Sequence, residues 1–403
     1  MNIDPNDYNN QFKNQEPRKP DETKDKIPLK NKIIFFLVIL VIAGLSWWAI
    51  GRKDSRKGEL ISIDQEVKQI PINQGNLSPI SGLACENWNR RPIAVMQPSD
   101  LPARPLAGFF DADIVIEMPV LTNGKTRLMG IYVCGNPEEI GSMRSARPDF
   151  VHLAKGLDAI FVHWGRAELN SFIENLDSGV IDNLNCNGDA GKSAYAYCFR
   201  KEGMSRGVDS GYVKFNKILE GAKDFGYRLE ANLGGYPHQS ELTEDQRIEK
   251  GNLEIGYPNL PGDPLEVSYD YNKETNSYVR YWAGVKDTDR NNGNSITPKN
   301  IVVLLASDNN MEEDPHYNNM ELGDPWYDSV DSGEAYYYMN GQEIRGRWSK
   351  DKARIDSKLI LTDSNGKNIE FVPGQIWVNV IYPNMKLDWD AGVSYEEELM
   401  DTN

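Results

Sequence analysis

Residues 112–133, ADIVIEMPVLTNGKTRLMGIYV, carry the strongest structural signal in the chain. Two runs rich in aliphatic and β-branched residues, at 112–120 and 126–133, flank the pair Asn123-Gly124. An Asn-Gly pair between two such runs is typical of a tight turn that joins antiparallel strands. We therefore predict a β-hairpin, and the run RPIAVM at 91–96 predicts a further strand in the same region.

Helices and strands alternate after this hairpin. Apolar residues have helical spacing at 148–157, an apolar strand follows at 158–163, and a second helix is predicted at 168–176. Strands that alternate with helices are typical of an α/β domain. We predict an α/β domain with a mixed sheet over residues 79–233.

The pattern changes beyond a joint rich in glycine and proline at 234–264. Short alternating strands are predicted at 265–271, 277–283, 301–305, 334–339, 369–372 and 376–381. Turn signals at Asn340-Gly341 and Asn365-Gly366 lie between such runs. We predict a mostly antiparallel, β-rich domain over 265–384 and an acidic tail at 385–403, so the 403 residues would form two domains.

Residues 33–50, IIFFLVILVIAGLSWWAI, form an uncharged apolar run close to the about 20 residues that cross a bilayer as a helix. A buried core helix and a cleaved signal peptide are the alternatives, but a soluble helix normally has a polar face and no small-residue cleavage site follows. More lysine and arginine precede the run than follow it, which predicts a cytoplasmic N-terminus. Residues 1–32 then form a disordered cytoplasmic tail, and residues 51–78 a stalk below an extracytoplasmic body at the cell membrane.

Charge and cysteine content bear on the partners and the compartment. A net charge of -16 argues against a dominant nucleic-acid function, because phosphate backbones are bound by basic faces. All four cysteines lie beyond the apolar run, and their even number suits an oxidising exterior. We predict two disulfides, Cys85 with Cys134 and Cys186 with Cys198, with four unpaired thiols as the alternative.

Motifs for metals, nucleotides and nucleophiles are weak or missing. The segment Gly191-Lys192-Ser193 imitates the end of a phosphate loop, but Cys186 stands where the first glycine belongs. The acidic and aromatic stretch 314–334 offers oxygen ligands for calcium, although a solvated loop is the favoured interpretation. We predict no metal site and no cofactor.

One constellation has the chemistry of an anion site. Arg144, Ser145 and Arg147 precede the helix at 148–157, with Ser145 as a predicted N-cap. The strand at 158–163 ends in His163-Trp164, and open α/β sheets bind ligands beyond the carboxyl ends of their strands. The predicted ligand-binding residues are Arg127, Arg144, Ser145, Arg147, His163 and Trp164. For Arg144 and Arg147, the alternative is a structural role, in which they hold their own loop in place through bonds to carbonyl and carboxylate groups.

Glu117 and His163 are the candidates for a catalytic base. Glu117 has apolar neighbours in the hairpin, and either side chain would lie near the same crevice. A structural ion pair between Glu117 and Arg127 is the favoured alternative for the glutamate, and a structural role is favoured for the histidine.

The sequence resembles the YerB-like lipoprotein family, a bacterial family of unknown function, over residues 80–383. The matching segments are RRPIAVM (90–96), ARPLAG (103–108), ADIVIE (112–117), GKTRLMGIY (124–132), GSMRSARPDFV (141–151), LDAIFVHWG (157–165), IDNLN (181–185), YDYNKETNSYVRYWAG (269–284), KNIVVLL (299–305), NGQEIRGRW (340–348) and GQIWVNVIYP (374–383). The resemblance implies two successive domains, one α/β and one β-rich, at the cell envelope.

The chain departs from the family in two places. Members are anchored to the membrane through an acylated cysteine, whereas Cys85 here follows no adjacent apolar segment. The family's Pro-His-Asn near the end of the N-terminal domain is also absent, and Gly207-Val208-Asp209 stands near that place. Loss of such a histidine counts against catalysis more than against binding.

Two functions follow from these observations. The first is a membrane-anchored module that binds an anionic envelope component, such as a cell-wall polymer, or an envelope protein. The alternative is a cell-wall-modifying hydrolase in which Glu117 or His163 acts as the base and an arginine stabilises developing charge. Binding is favoured, because the sequence has no recognisable nucleophile triad or metal-ligand set.

Overall fold

The computed structural model describes residues 76–121, 125–188, 193–257, 266–310, 314, 316–320, 332–351 and 353–392. The predicted tail at 1–32 and the predicted membrane helix at 33–50 lie outside these residues, as does most of the predicted stalk. None of the described helices is long and apolar enough to cross a membrane. The described body begins slightly before the predicted start at 79, since the Ser78 hydroxyl donates to Asp113 over 2.9 Å.

The elements are numbered here along the chain. The strands are β1 (Ile93–Pro98), β2 (Ile114–Pro119), β3 (Thr126–Tyr132), β4 (Glu139–Gly141), β5 (Ile160–His163), β6 (Asn183–Asn185), β7 (Cys198–Arg200), β8 (Gly211–Lys214), β9 (Asn252–Gly256), β10 (Glu266–Asn272), β11 (Ser277–Trp282), β12 (Val285–Lys286), β13 (Asn300–Leu305), β14 (Asp308–Asn310), β15 (Asn318–Met320), β16 (Ser332–Met339), β17 (Gln342–Ser349), β18 (Ile360–Asp363), β19 (Ile376–Ile381) and β20 (Leu387–Asp390). The α-helices are α1 (Pro148–Gly156), α2 (Asn170–Asp177) and α3 (Phe215–Asp224).

A ten-stranded mixed sheet has the order β18-β17-β16-β13-β19-β2-β3-β1-β5-β6. The hairpin strands β2 and β3 lie near its middle and pair antiparallel with Glu117 opposite Leu128. The strand pairing is the predicted one, and the turn at 122–124 lies outside the described residues. Parallel pairs β1-β5, β5-β6, β2-β19 and β13-β19 make most of the central strands run in one direction.

Strands from both predicted domains share this sheet. β19 comes from the C-terminal region, yet it lies between β13 and β2 and is parallel to both. The predicted joint at 234–264 therefore does not separate two sheets, and the expectation of a mostly antiparallel C-terminal unit does not hold for β13 and β19. Their side chains are buried on both faces, which is the pattern of strands in the centre of a parallel sheet.

A second sheet, with the order β12-β11-β10-β9-β20, is antiparallel throughout, as the sequence predicted for the C-terminal region. Three of its strands lie where no strand was predicted, the shortest being β12, which follows the predicted strand at 277–283. β9 falls inside the predicted joint, and β20 falls inside the predicted acidic tail at 385–403. Both alternate between core-facing and solvent-facing side chains; Leu253 and Ile255 of β9 are fully buried. Smaller sheets, β4-β8-β7 and β14-β15, complete the set in the described ranges.

The predicted strand at 369–372 is wrong. Phe371 makes only an isolated bridge with His238, and the Val372 amide donates to the side chain of Asn300 over 3.0 Å. The apolar residues of this segment are buried, so the apolar run predicted burial correctly but not a strand. A short apolar run does not distinguish a buried strand from a buried connection.

Two apolar clusters pack on the two faces of the large sheet. In β1, Ala94 and Met96 face a cluster that includes residues of α1 and α2, whereas Ile93 and Val95 face one that includes α3 and the second sheet. Strand side chains alternate between faces, so each strand contributes to both clusters. The large sheet is therefore the middle layer of three.

Both predicted disulfides are present. Cys85 is bonded to Cys134 across 49 residues of sequence, and Cys186 to Cys198 across 12. No cysteine of the chain is free. The first bond fixes the start of the body to the loop after β3.

We expect the two disulfides to contribute unequally to stability. Because the loop that Cys85 and Cys134 close is longer, chain entropy assigns it about 1 kcal/mol more of the free energy of unfolding than the other bond. Urea unfolding of the Cys85→Ser/Cys134→Ser and Cys186→Ser/Cys198→Ser variants measures the difference. Equal losses, or a larger loss in the second variant, would contradict the chain-entropy account.

Candidate anion-binding site

Residues 143–147 lie across the carboxyl ends of two parallel strands. The Arg144 amide donates to the carbonyl of Met96 in β1 over 2.9 Å. The Trp164 amide, just past β5, donates to the Arg144 carbonyl over 3.0 Å, and the Ala146 amide donates to the Gly165 carbonyl over 2.9 Å. These backbone bonds hold the segment where open α/β sheets bind ligands, directly before α1.

Arg127 reaches the same edge from the hairpin. It stands near the start of β3, opposite Pro98 at the end of β1 and opposite Met118 in β2. Arg127, Arg144 and Arg147 are each only 8% exposed. Three nearly buried guanidinium groups therefore meet at one edge of the sheet. They differ in their hydrogen-bond and ion-pair partners.

Arg144 is fully engaged by neighbouring groups. It donates to the carbonyl of Val208 and to the carboxylate of Asp209, and it lies 3.4 Å from Asp100. Arg206 binds the same two carboxylates, with 3.0 Å to Asp100. Burial acts to raise the pKa of Asp209, but the hydrogen bonds from Arg206 and Arg144 hold that pKa below its ordinary value. Two arginines and two aspartates thus form a cluster without net charge.

Arg127 and Arg147 have no carboxylate partner among the described residues. Arg127 donates through Nη1 to the Thr126 carbonyl over 3.1 Å, and Arg147 donates through Nη1 to the Ala146 carbonyl over 2.9 Å. The Nε atoms of both are buried and have no hydrogen-bond partner. Burial and then the charge of Arg147 lower the pKa of Arg127 to about 9, and the charge of Asp100 opposes this shift only in part. Burial also lowers the pKa of Arg147.

An aromatic ring partly covers Arg147. Its guanidinium carbon lies 5.0 Å from the centre of the Tyr317 ring. The face of an aromatic ring attracts a cation but brings no negative charge. The tyrosine therefore orients the arginine and leaves its charge unbalanced.

Ser145 and Trp164 do not belong to this cluster. The Ser145 hydroxyl donates to the Trp164 carbonyl over 3.3 Å, so the predicted N-cap is wrong. Arg147 is the N-cap residue of α1, and Pro148 occupies the first turn as predicted. The Trp164 ring packs on the opposite face of the sheet, 3.9 Å from the guanidinium carbon of Arg200.

His163 is held inside the fold. Its Nδ1 donates to the Gly165 carbonyl over 2.6 Å, and its Nε2 lies 3.2 Å from Oδ1 of Asn183. The ring also stacks at 5.3 Å from Phe161. Burial lowers the pKa of the imidazole, which favours the neutral ring. With both nitrogens engaged by neighbours, this geometry favours the structural role over that of a base.

Glu117 is engaged as fully as His163, but not by Arg127. One carboxylate oxygen accepts from Arg280 over 2.7 Å and the other from the Thr126 hydroxyl over 2.9 Å. Glu117 lies opposite Leu128, so its side chain and that of Arg127 point to opposite faces of the sheet. The predicted ion pair between Glu117 and Arg127 is therefore wrong.

The ion pair of Glu117 belongs to a buried chain of alternating charges. Arg280 of β11 also binds Asp287, which in turn accepts from Arg104 over 2.8 Å. Glu117 and Arg280 have no exposed side-chain surface. The guanidinium of Arg280 lies 4.3 Å from the Trp377 ring centre. These contacts join the large sheet to the second sheet.

Sequence reasoning missed the acidic half of the arginine cluster. Asp100 lies in a loop and Asp209 ends the short 3-10 helix Gly207–Asp209, neither of them in a recognisable motif, and Arg206 is partly exposed. The only signal was the segment Gly207-Val208-Asp209, which had been noted as a departure from the resembled family. Its last residue turns out to be the carboxylate that fixes Arg144.

The fold and this site can now be set beside known proteins. Residues 80–228 match the N-terminal domain, and residues 259–378 the C-terminal domain, of a family described as a protein of unknown function (DUF3048). The chain belongs to this family, which confirms the resemblance found in the sequence.

The individual relatives bear the name YerB. The chain is 30% identical over 307 residues to the "Putative lipoprotein YerB" of Bacillus subtilis (strain 168), covering 75% of this chain and 86% of the relative. A crystal structure of the YerB protein from Bacillus subtilis matches with a TM-score of 0.65 at 27% identity, over 77% of this chain and 99% of that one.

We expect Arg280→Met to destabilise the body by about 3–5 kcal/mol at neutral pH, because it leaves Glu117 buried without a cation and leaves Asp287 with Arg104 alone. Stranded carboxylates have raised pKa values in the folded state, so the loss should shrink as the pH falls from 7 toward 5. Urea unfolding at both pH values measures it. Arg345→Met, at an exposed pair with Glu343, is the control with little expected effect. A loss below about 1 kcal/mol would contradict the role of the chain of charges.

His163 predicts a second pH effect. Its folded-state pKa is lowered, so protonation favours the unfolded chain and stability is lost as the pH falls below about 6.5. Replacing it in His163→Gln should make the urea midpoint fall less between pH 7 and pH 5 than in the wild type. An unchanged pH slope would show that the ring is not held neutral.

Proposed function

We propose that the protein is a membrane-anchored, extracytoplasmic module that binds an anionic component of the cell envelope at Arg127 and Arg147. Two findings support it: the uncompensated charge at one sheet edge, and the similarity to a relative named as a lipoprotein. In this proposal the site binds its ligand and catalyses no reaction.

The apolar run at 33–50 is the proposed anchor. A lipid attached to cysteine needs a free thiol, but Cys85 is bonded to Cys134 and no other cysteine is free. This differs from the acylated cysteine of the resembled family. The orientation follows the charge bias of the sequence, with the N-terminus in the cytoplasm.

The observation that carries the binding site is the pair of unmatched guanidinium groups. Burying a charge without a counter-charge costs free energy, and most buried charges are therefore paired. Arg144 is paired, whereas Arg127 and Arg147, equally buried, are not. A ligand anion would supply the missing partner through charge-assisted hydrogen bonds.

The alternative, a cell-wall hydrolase, needs a base with a free lone pair toward a crevice. Both candidates use their polar atoms inside the protein: Glu117 accepts from Arg280 and Thr126, and His163 faces Gly165 and Asn183. These contacts favour the binding module.

The test is retention of the purified full-length protein, in detergent, on purified cell-wall polymer. We expect Arg127→Met/Arg147→Met to reduce retention by roughly 10-fold or more, because two charge-assisted contacts are lost. Its melting temperature in the absence of polymer should be no lower than that of the wild type, because the two charges are unmatched without ligand.

The matched control is Arg345→Met/Arg354→Met, which removes the same charge from side chains that are 73% and 66% exposed. If both double variants lost retention equally, net charge alone would explain the loss, and a binding site at Arg127 and Arg147 would be contradicted. Fragment masses are followed in the same samples, and the release of soluble wall fragments by the wild type would establish the hydrolase instead.

A further inference from the structure

The free donors at the site are arranged as two forks. Arg127 and Arg147 each use Nη1 to bind a backbone carbonyl of their own segment. Among the described residues, no hydrogen-bond partner faces the edge formed by Nε and Nη2 of either side chain, and both Nε atoms are buried. This edge of a guanidinium carries two parallel N–H donors, which is the arrangement that binds carboxylates and phosphates bidentately.

Among the described residues, the charges around the two forks can also be counted. Arg144 and Arg206 are matched by Asp100 and Asp209, so that group contributes no net charge. The two forks therefore add two positive charges to the edge. Tyr317, the ring over Arg147, adds none.

We propose that the site takes a terminal phosphate, a phosphomonoester group with two negative charges, in preference to a carboxylate or a phosphodiester. This inference rests on the proposed function and specifies its ligand. A carboxylate has two oxygens, which one fork satisfies, and its single charge leaves the other guanidinium unmatched. A phosphodiester also carries one charge. A terminal phosphate has three free oxygens and about two charges at neutral pH, which suit both forks.

The same group occurs on soluble sugar or glycerol phosphates, at polymer ends and on lipid headgroups. The chemistry that the forks recognise is shared by all of them. Soluble and vesicle-bound probes separate these sources in the experiment below.

The experiment is a calorimetric titration of the full-length protein in detergent, at pH 7.5 and constant ionic strength, in a buffer without phosphate. The probes are glycerol 3-phosphate, dimethyl phosphate and acetate, with vesicles that contain phosphatidic acid as a lipid source. We expect the monoester to bind roughly 10- to 100-fold more tightly than the diester or acetate, as one lost pair of charge-assisted bonds implies.

The pH dependence gives an independent reading. The second ionisation of a phosphomonoester lies near about pH 6, so its affinity should rise between pH 5 and pH 7 while that of dimethyl phosphate stays constant. Arg127→Met/Arg147→Met should abolish binding of the monoester, and Arg345→Met/Arg354→Met should preserve it. Binding to phosphatidic acid vesicles without binding of glycerol 3-phosphate would also support the proposal and identify the lipid source.

The possible failures are distinguishable. Equal affinity for acetate, dimethyl phosphate and glycerol 3-phosphate, lost in the Arg127→Met/Arg147→Met variant, overturns the preference for a dianion and leaves the proposed function standing. Retention on wall polymer without binding of any phosphate probe has the same consequence. Absence of both retention and probe binding overturns the two proposals together.

Discussion

The insertion of β19 between β13 and β2 is the constraint on which the rest of the structure depends. Its parallel pairing with both neighbours makes one sheet from segments that lie far apart in the sequence. Because β13 and β19 are buried on both faces, each face needs a cover, and the helices and the second sheet provide it. The parallel strands also end at one common edge, where the segment 143–147 is held by backbone hydrogen bonds. The position of the candidate site is thus a consequence of the sheet topology.

Two groups of buried charge in this fold have opposite energetics. Along Arg104, Asp287, Arg280 and Glu117, each charge has an oppositely charged neighbour, so the cost of burial is offset by close ion pairs. At the sheet edge, Arg127 and Arg147 form no ion pair with a carboxylate among the described residues, although the charge of Asp100 acts on Arg127 from farther away. A buried charge without a counter-charge lowers the stability of the fold. Natural sequences keep such unfavourable features mainly at functional sites. The contrast within one molecule is the reason for placing function at the second group and structure at the first.

Local sequence pattern predicted many of the elements but not how they assemble. The hairpin strands, the helix that begins at Pro148 and both disulfides followed from spacing, turn residues and cysteine number. The place of β19 did not, because parallel strands can be paired across any sequence distance. The same holds for Arg280, which meets Glu117 across 163 residues. The pairing of Glu117 with Arg127 was avoidable, since the two-residue turn that the sequence predicts at 123–124 would place odd-numbered residues of one strand opposite even-numbered residues of the other.

For the three predicted arginines, neither sequence nor burial distinguishes a structural role from ligand binding. All are exposed to the same extent, and two of them lie three residues apart in one segment. Arg144 fulfils the structural alternative, since Asp209 and Val208 hold it and so connect segment 143–147 to the loop before β8. Arg147 lies beside it, and its acceptors in the described part of the chain are backbone carbonyls. The difference arises from Asp209, which reaches one guanidinium and not the other, and therefore fixes the position of the segment without neutralising the charge that a ligand would meet.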